Sequence, residues 1–145
     1  MATTWILVAN ASLAKLYENE GPNKGLTLVK ELTHPESRQK NSDLVTDRPG
    51  AMGTGSGGGS MQAQTEPKQH EARVFAQELA QTLYHGRATN EFKRAILVAP
   101  PAFMGLLNAT LDDPTAQLVS DRFEKDYTKT PEKELSKHLS SVILL

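Results

Sequence analysis

Cysteine is absent from all 145 residues, which removes disulfides, thiolate nucleophiles and cysteine-ligated zinc in one step. Neither sign of charge dominates. Lys and Arg total 16 against 17 Asp and Glu, a formal net charge of -1, so no global positive field draws the chain to nucleic acid or anionic lipid. Any RNA contact has to be local. Long apolar runs are missing too: the longest near the start, Trp5 to Ala9, falls short of a secretory signal and far short of the ~20 residues of a membrane span. A cytoplasmic protein without membrane contact is expected. The length suits one domain, 1–145, with a core of its own.

Chemical motifs are equally sparse. No two histidines stand at helical i+4 spacing, so the zinc-protease arrangement is missing. His34, Asp43 and Asp47 can meet in a loop, but nothing in their spacing holds them rigidly, and no metal or cofactor is expected. Gly53-Thr54-Gly55-Ser56-Gly57 follows a loop and not a strand, unlike a nucleophile elbow, and the Lys-Ser or Lys-Thr of a P-loop is lacking. Asp121, Glu124 and Asp126 are interleaved with Arg122 and Lys125, which reads as a solvated mixed-charge face. His138 falls on an apolar stripe and is expected to be a partly buried core histidine.

What is present is hydrophobic pattern. Trp5 to Ala9, closed by Asn10-Ala11-Ser12, suits a strand buried on both faces and is placed at the centre of the sheet. Leu13 to Glu18 and Leu26 to Leu32, joined through the turn-rich Asn19 to Gly25, continue it as an antiparallel meander that His34-Pro35 ends. From Thr65 the period changes: Ala72, Phe75, Ala76, Leu79, Ala80 and Leu83 form one helical stripe, with Thr65 or Glu66 as cap, Pro67 in the first turn and Gly86 as a left-handed stop. Ala95 to Ala99 is a second buried strand. Pro100-Pro101 opens a helix with Phe103, Leu106, Leu107 and Leu111 on one face, and Asp112-Asp113-Pro114 stops it. Leu118 to Tyr127 reads as an edge or half-wetted strand. Thr130 as N-cap, Pro131 at the first helical position and Glu132 at the positive end of the dipole start a last helix carrying Leu135, Leu139, Val142 and Ile143, and the apolar tail either completes the core or docks on another subunit. This order predicts an α/β fold, a mixed β-sheet flanked by helices.

Between meander and helix lies a stretch without hydrophobic period, at about 36–64, which is expected to be a long, flexible, Gly-rich loop. Its residues 53–60 hold five of the ten glycines. Such a run is either a free tether or a loop that presses its backbone against a partner.

The chain carries in order Thr4-Trp5-Ile6-Leu7-Val8-Ala9-Asn10, Leu16-Tyr17-Glu18, Leu32-Thr33-His34-Pro35-Glu36-Ser37-Arg38, and Asp47-Arg48-Pro49-Gly50 before the glycines. With the later segments, this order resembles the bacterial host-attachment protein family over essentially the whole chain. Glu71 to Ala80, Leu97 to Gly105 and Glu124 to Thr128 match that family's later segments. The family is similar to the middle domain of archaeal and eukaryotic peptide-chain release factors, which implies a mixed sheet with flanking helices and a glycine loop before a helix. Release factors carry Gly-Gly-Gln there, and Arg73 and Phe75 look like the Arg-Phe pattern that follows it. Here Ser60 and Met61 separate Gln62 from Gly57-Gly58-Gly59, a displacement of roughly 6 Å along an extended chain, so the release-factor route to hydrolysis is not supported.

The resemblance therefore implies a non-catalytic ribosome- or RNA-associated accessory domain, acting in translation termination or ribosome rescue, whose partner is the ribosome or tRNA. Arg38, Arg48, Gly57, Gly58, Gly59 and Gln62 form the expected binding loop. An intracellular protein interaction module that affects attachment indirectly, with another protein as partner, is the second expectation. A hydrolase acting on an ester such as peptidyl-tRNA, with Gln62 or a loop carboxylate as its working group, is the third. Oligomeric state is not legible.

Overall fold

The computed structural model describes residues 3–34, 57–143 and 145, and residues 57–68 as backbone only. Five strands form one mixed sheet in the order β3-β2-β1-β4-β5. Strand β1 (Thr4–Ala9) is its central strand and is buried at every position, as its unbroken apolar run requires. It pairs antiparallel with β2 (Leu13–Asn19), which pairs antiparallel with β3 (Thr27–Thr33), giving the expected meander. On its other side β1 runs parallel to β4 (Arg94–Val98), Thr4 opposite Arg94 and Val8 opposite Val98, and β4 runs parallel to β5 (Val119–Phe123). A parallel neighbour demands a crossover. Helix α1 (Gly57–Ala88) provides it between β1 and β4 together with the preceding chain, and α2 (Pro101–Thr110) with α3 (Asp113–Leu118) returns β4 to β5.

Alternation along the strands divides the core. Trp5, Leu7, Ala9, Leu16, Ala95 and Leu97 face Phe75, Ala76, Leu79 and Leu83 of α1 and Phe103, Met104 and Leu107 of α2. Ile6, Val8, Tyr17, Ile96 and Val98 point the other way, to Leu135 on α4 (Glu132–His138) and to Leu139 and Ile143 beyond it. The apolar tail thus lies on the core of its own chain.

Several expectations need correction. Helix α1 starts at Gly57 and not near Thr65, so Gly57, Gly58, Gly59 and Gln62 belong to its first two turns and the expected loop loses its last eight residues. Met61, Gln62, Ala63 and Gln64 are strong helix formers, and they propagate the helix back into the glycines from a nucleus that the packed half already supplies. Pro67 then falls in the helix interior, where it cannot donate to the Ala63 carbonyl. Residues 36–56 of the expected loop lie outside the described residues.

Gly86 does not stop α1. It lies inside the helix, where a Cβ would overlap the Trp5 ring and come within 3.0 Å of Phe92, so glycine is there for close approach. The stop belongs to Asn90, at φ 60, whose N–H donates to the Arg87 carbonyl while that of Glu91 donates to Gly86. These bonds form a Schellman motif with asparagine in the left-handed position. Asp112-Asp113-Pro114 ends α2, but it also opens α3: Asp112 is the N-cap and accepts the Thr115 N–H at 3.2 Å. Strand β5 ends at Phe123, short of Tyr127. Pro131, not Thr130, occupies the N-cap of α4, with Glu132 and Glu134 at the positive end of the dipole. His138 is exposed and stacks on Tyr127 with ring centroids 4.4 Å apart.

Candidate functional site

In α/β sheets, ligands collect where neighbouring parallel strands end and their connections part in opposite directions. Strands β1 and β4 create that point here. After β1 the chain turns back into the meander; after β4 it rises into α2. Asn10, directly after β1, ties this edge together. Its Oδ1 accepts the N–H groups of Ser12 at 2.8 Å and Leu13 at 2.9 Å, which sets the turn into β2. Its Nδ2 donates to Asp126 Oδ2 at 3.1 Å and to the Thr128 hydroxyl at 3.2 Å, which fastens the segment after β5 to the central strand.

Asp126 accepts in turn from the Thr128 hydroxyl at 2.6 Å and N–H at 3.1 Å. Burial pushes its carboxyl upward, but those bonds, the Asn10 amide and nearby Lys129 outweigh it and hold the group below the usual range. It is a fixed negative charge at neutral pH.

On the meander side, the His34 N–H donates to the Ser12 carbonyl at 2.8 Å. Its Nε2 lies 2.8 Å from Glu71 Oε1, and its ring stacks on Phe75 with centroids 5.3 Å apart. Phe75 meets Phe103 of α2 at 6.0 Å. The His34 and Glu71 side chains are only 15% and 17% exposed, so this pair is held better than a surface ion pair, and it clamps the end of β3 to α1. Helix α2 starts on the same edge with Pro100 as N-cap, no side-chain cap and no acid in its first turn.

Asn10, His34, Glu71, Phe103, Asp126 and Thr128 come from five separated segments that meet only through the fold. Sequence reading missed them as a site. Asn10 had a visible signal, a polar side chain directly after a fully buried strand, whereas the pairing of His34 with Glu71 across 37 positions had none.

Of the residues chosen from sequence, Arg38 and Arg48 lie outside the described residues. Gly57, Gly58 and Gly59 form the start of α1, and Gln62 stands nine residues before Glu71, roughly 13 Å along the axis. Arg73 is exposed on α1 and Phe75 is buried in the core. Among the described residues, no group of three or more His, Asp or Glu is placed to hold a metal ion, and no helix is long and apolar enough to cross a membrane.

A family model described as "Protein required for attachment to host cells" matches residues 5–139. No curated protein matches the chain.

Proposed function

The chain belongs to the family of proteins required for attachment to host cells, and from that premise we propose a non-catalytic, RNA- or ribosome-associated accessory domain of release-factor descent that works in the cytoplasm. The supporting observation is the head of α1. Gly57, Gly58, Gly59 and Ser60 make its first turn, and no acidic residue stands in it. The first four N–H groups of a helix have no partner within it and carry the positive end of its dipole, a favourable place for phosphate. Three glycines leave no Cβ to keep a nucleic-acid backbone at a distance.

Co-sedimentation with ribosomes at low salt, and its decline as salt rises, tests this reading. A Gly58→Glu, Gly59→Glu variant is the decisive control. Glutamate improves helix propensity and the dipole interaction, so α1 is kept while phosphate is repelled. Binding lost in the variant supports the reading; binding unchanged by the two charges removes it.

The family's description favours one other reading, a protein interaction module that affects attachment indirectly. Cell fractionation separates the two. A ribosomal fraction supports the first, and a protein-bound, RNase-resistant complex supports the second.

A further inference from the structure

Away from the Asn10 edge, towards the C-terminal half of α1, an open cavity of about 560 Å³ is lined by Gln77, Ala80, Gln81, Tyr84, Thr110 and Asp112. We propose that this groove is a pocket for a nucleobase, and for guanine in particular. The proposal deepens the RNA reading by naming what part of a strand the protein would hold, and its pocket chemistry is tested separately from the head of α1.

The composition of the groove supports a flat, neutral, hydrogen-bonding ligand. Tyr84 is 40% exposed, one of three large hydrophobic side chains so exposed among the described residues. Its ring is not loose. The Arg87 guanidinium lies 5.3 Å from the ring centroid and is itself fastened by the Thr115 hydroxyl at 2.9 Å and Asp112 Oδ2 at 3.6 Å. An aromatic held in place at a cavity wall is a stacking platform for a base.

The polar groups set the edge that such a base presents. Asp112 already accepts from Thr115 and faces Arg87, and these interactions keep it ionised although burial acts against them. A carboxylate has more lone pairs than they use, and it can only accept. The Thr110 hydroxyl donates to the Leu106 carbonyl at 3.1 Å or the Leu107 carbonyl at 3.0 Å, which leaves its oxygen as a further acceptor. Gln77 and Gln81, one turn apart on α1, make no hydrogen bond with the described residues, so both amides are available. The fixed groups therefore accept, and the adaptable ones can donate.

Guanine offers two adjacent donors, N1–H and the N2 amine, to a carboxylate, with O6 beside them for an amide N–H. Adenine and uracil lack that pair of adjacent donors. A phosphate group would be repelled by Asp112, so the base and not the backbone belongs in the groove. Arg73, exposed one turn before Gln77, is placed for a phosphate attached to the ligand.

The experiment titrates the whole protein with guanosine 5′-monophosphate, adenosine 5′-monophosphate and a guanine-containing single-stranded RNA hexamer, following amide NMR shifts and anisotropy of a labelled hexamer. Guanosine monophosphate should shift Gln77, Gln81 and Tyr84 and bind about tenfold or more tightly than the adenosine nucleotide. Tyr84→Ala should weaken it by about tenfold or more. Asp112→Asn keeps the N-cap of α3. It replaces an acceptor by a donor, so it should lose guanosine monophosphate and gain xanthosine monophosphate, whose oxygen replaces the N2 amine. A merely structural Asp112 would not produce that exchange.

Equal binding of all nucleotides, shifts elsewhere on the protein, or indifference to both substitutions would overturn the pocket. Should the free nucleotide bind as described and the hexamer not, the pocket stands and the RNA reading falls. Loss of hexamer binding but not of nucleotide binding in the Gly58→Glu, Gly59→Glu variant supports both.

Discussion

At the scale of single residues, two positions carry consequences that can be measured. Gly86 packs beneath Trp5, whose ring also stacks on Phe92 with centroids 4.6 Å apart. Gly86→Ala must push an indole or a helix aside, and overpacking of this kind costs about 1–3 kcal/mol. Urea unfolding should show that loss with a shift in Trp5 emission; a variant as stable as its parent would refute the close approach. Asp126 is a matter of sign. A carboxyl lowered in the folded state stabilises the fold above its unfolded value, about pH 4, and that contribution disappears as pH falls through the folded value. Asp126→Asn should cost about 1 kcal/mol at neutral pH, reduced by solvent screening, and flatten the acid limb of a pH–stability curve. An unchanged acid limb would show that the carboxylate contributes nothing. Residue roles were the least legible part of the sequence. A glycine near a helix end serves equally as a stop or as a gap, and only the position of Trp5, more than eighty residues earlier, decides between them.

Elements were easier to read, because burial leaves a period behind. The runs at Trp5 to Ala9 and Ala95 to Ala99 are covered by helices on both faces, and the stripe from Ala72 to Leu83 lies on the sheet, so each showed its environment directly. Helix α3 was missed because an aspartate followed by Asp-Pro is as good a beginning as an end. Strand β3 is the informative exception. It is an edge strand, exposed on both faces, with Leu28 at 44% and Val29 at 45% exposure, yet it alternates poorly. Val29 is the extra residue at an irregularity, since Leu16 is opposite Lys30 and Tyr17 opposite Leu28. Edge-to-edge pairing of two such strands about a two-fold axis sets positions of equal parity against each other. Registers centred on the middle of β3 therefore place Lys30 against its own copy, or Glu31 against its own copy. Like charges and a bulge guard the edge. Lys30→Val with Glu31→Val should make the protein associate with rising concentration in sedimentation velocity, and a variant that sediments as its parent does would show that the guard lies elsewhere.

For the whole molecule, the sheet divides two unequal layers. One side is covered by α1 and α2, while the other depends on the seven-residue α4 and on the tail that follows it. Ile143 is 8% exposed, Val142 and Leu145 pack beside it, and the Val142 carbonyl accepts from Arg94 Nη2 at 2.7 Å. Ending the chain at Leu139 should cost about 3 kcal/mol, mostly from the Ile143 side chain and its neighbours, and uncover Ile6, Val8, Ile96 and Val98. Thermal unfolding and binding of a hydrophobic dye report both effects; an unaltered midpoint would place the tail outside the fold's energetics. At this scale the mixed sheet with flanking helices was legible from the order of segments. The candidate site was not, because Asn10, His34, Glu71 and Asp126 share no local pattern and meet only once β1 and β4 lie side by side.

That central pairing joins Thr4 to Arg94, so the innermost ladder closes a ring of ninety residues before it gains its first contact. Assembly should be paced by this closure, as it is in folds rich in distant pairings. The same ring makes its own circumference cheap: each doubling adds only about 0.6 kcal/mol of closure entropy. Segments of very different length can thus be spliced between β3 and α1 with little toll on stability, and the price appears in the refolding rate.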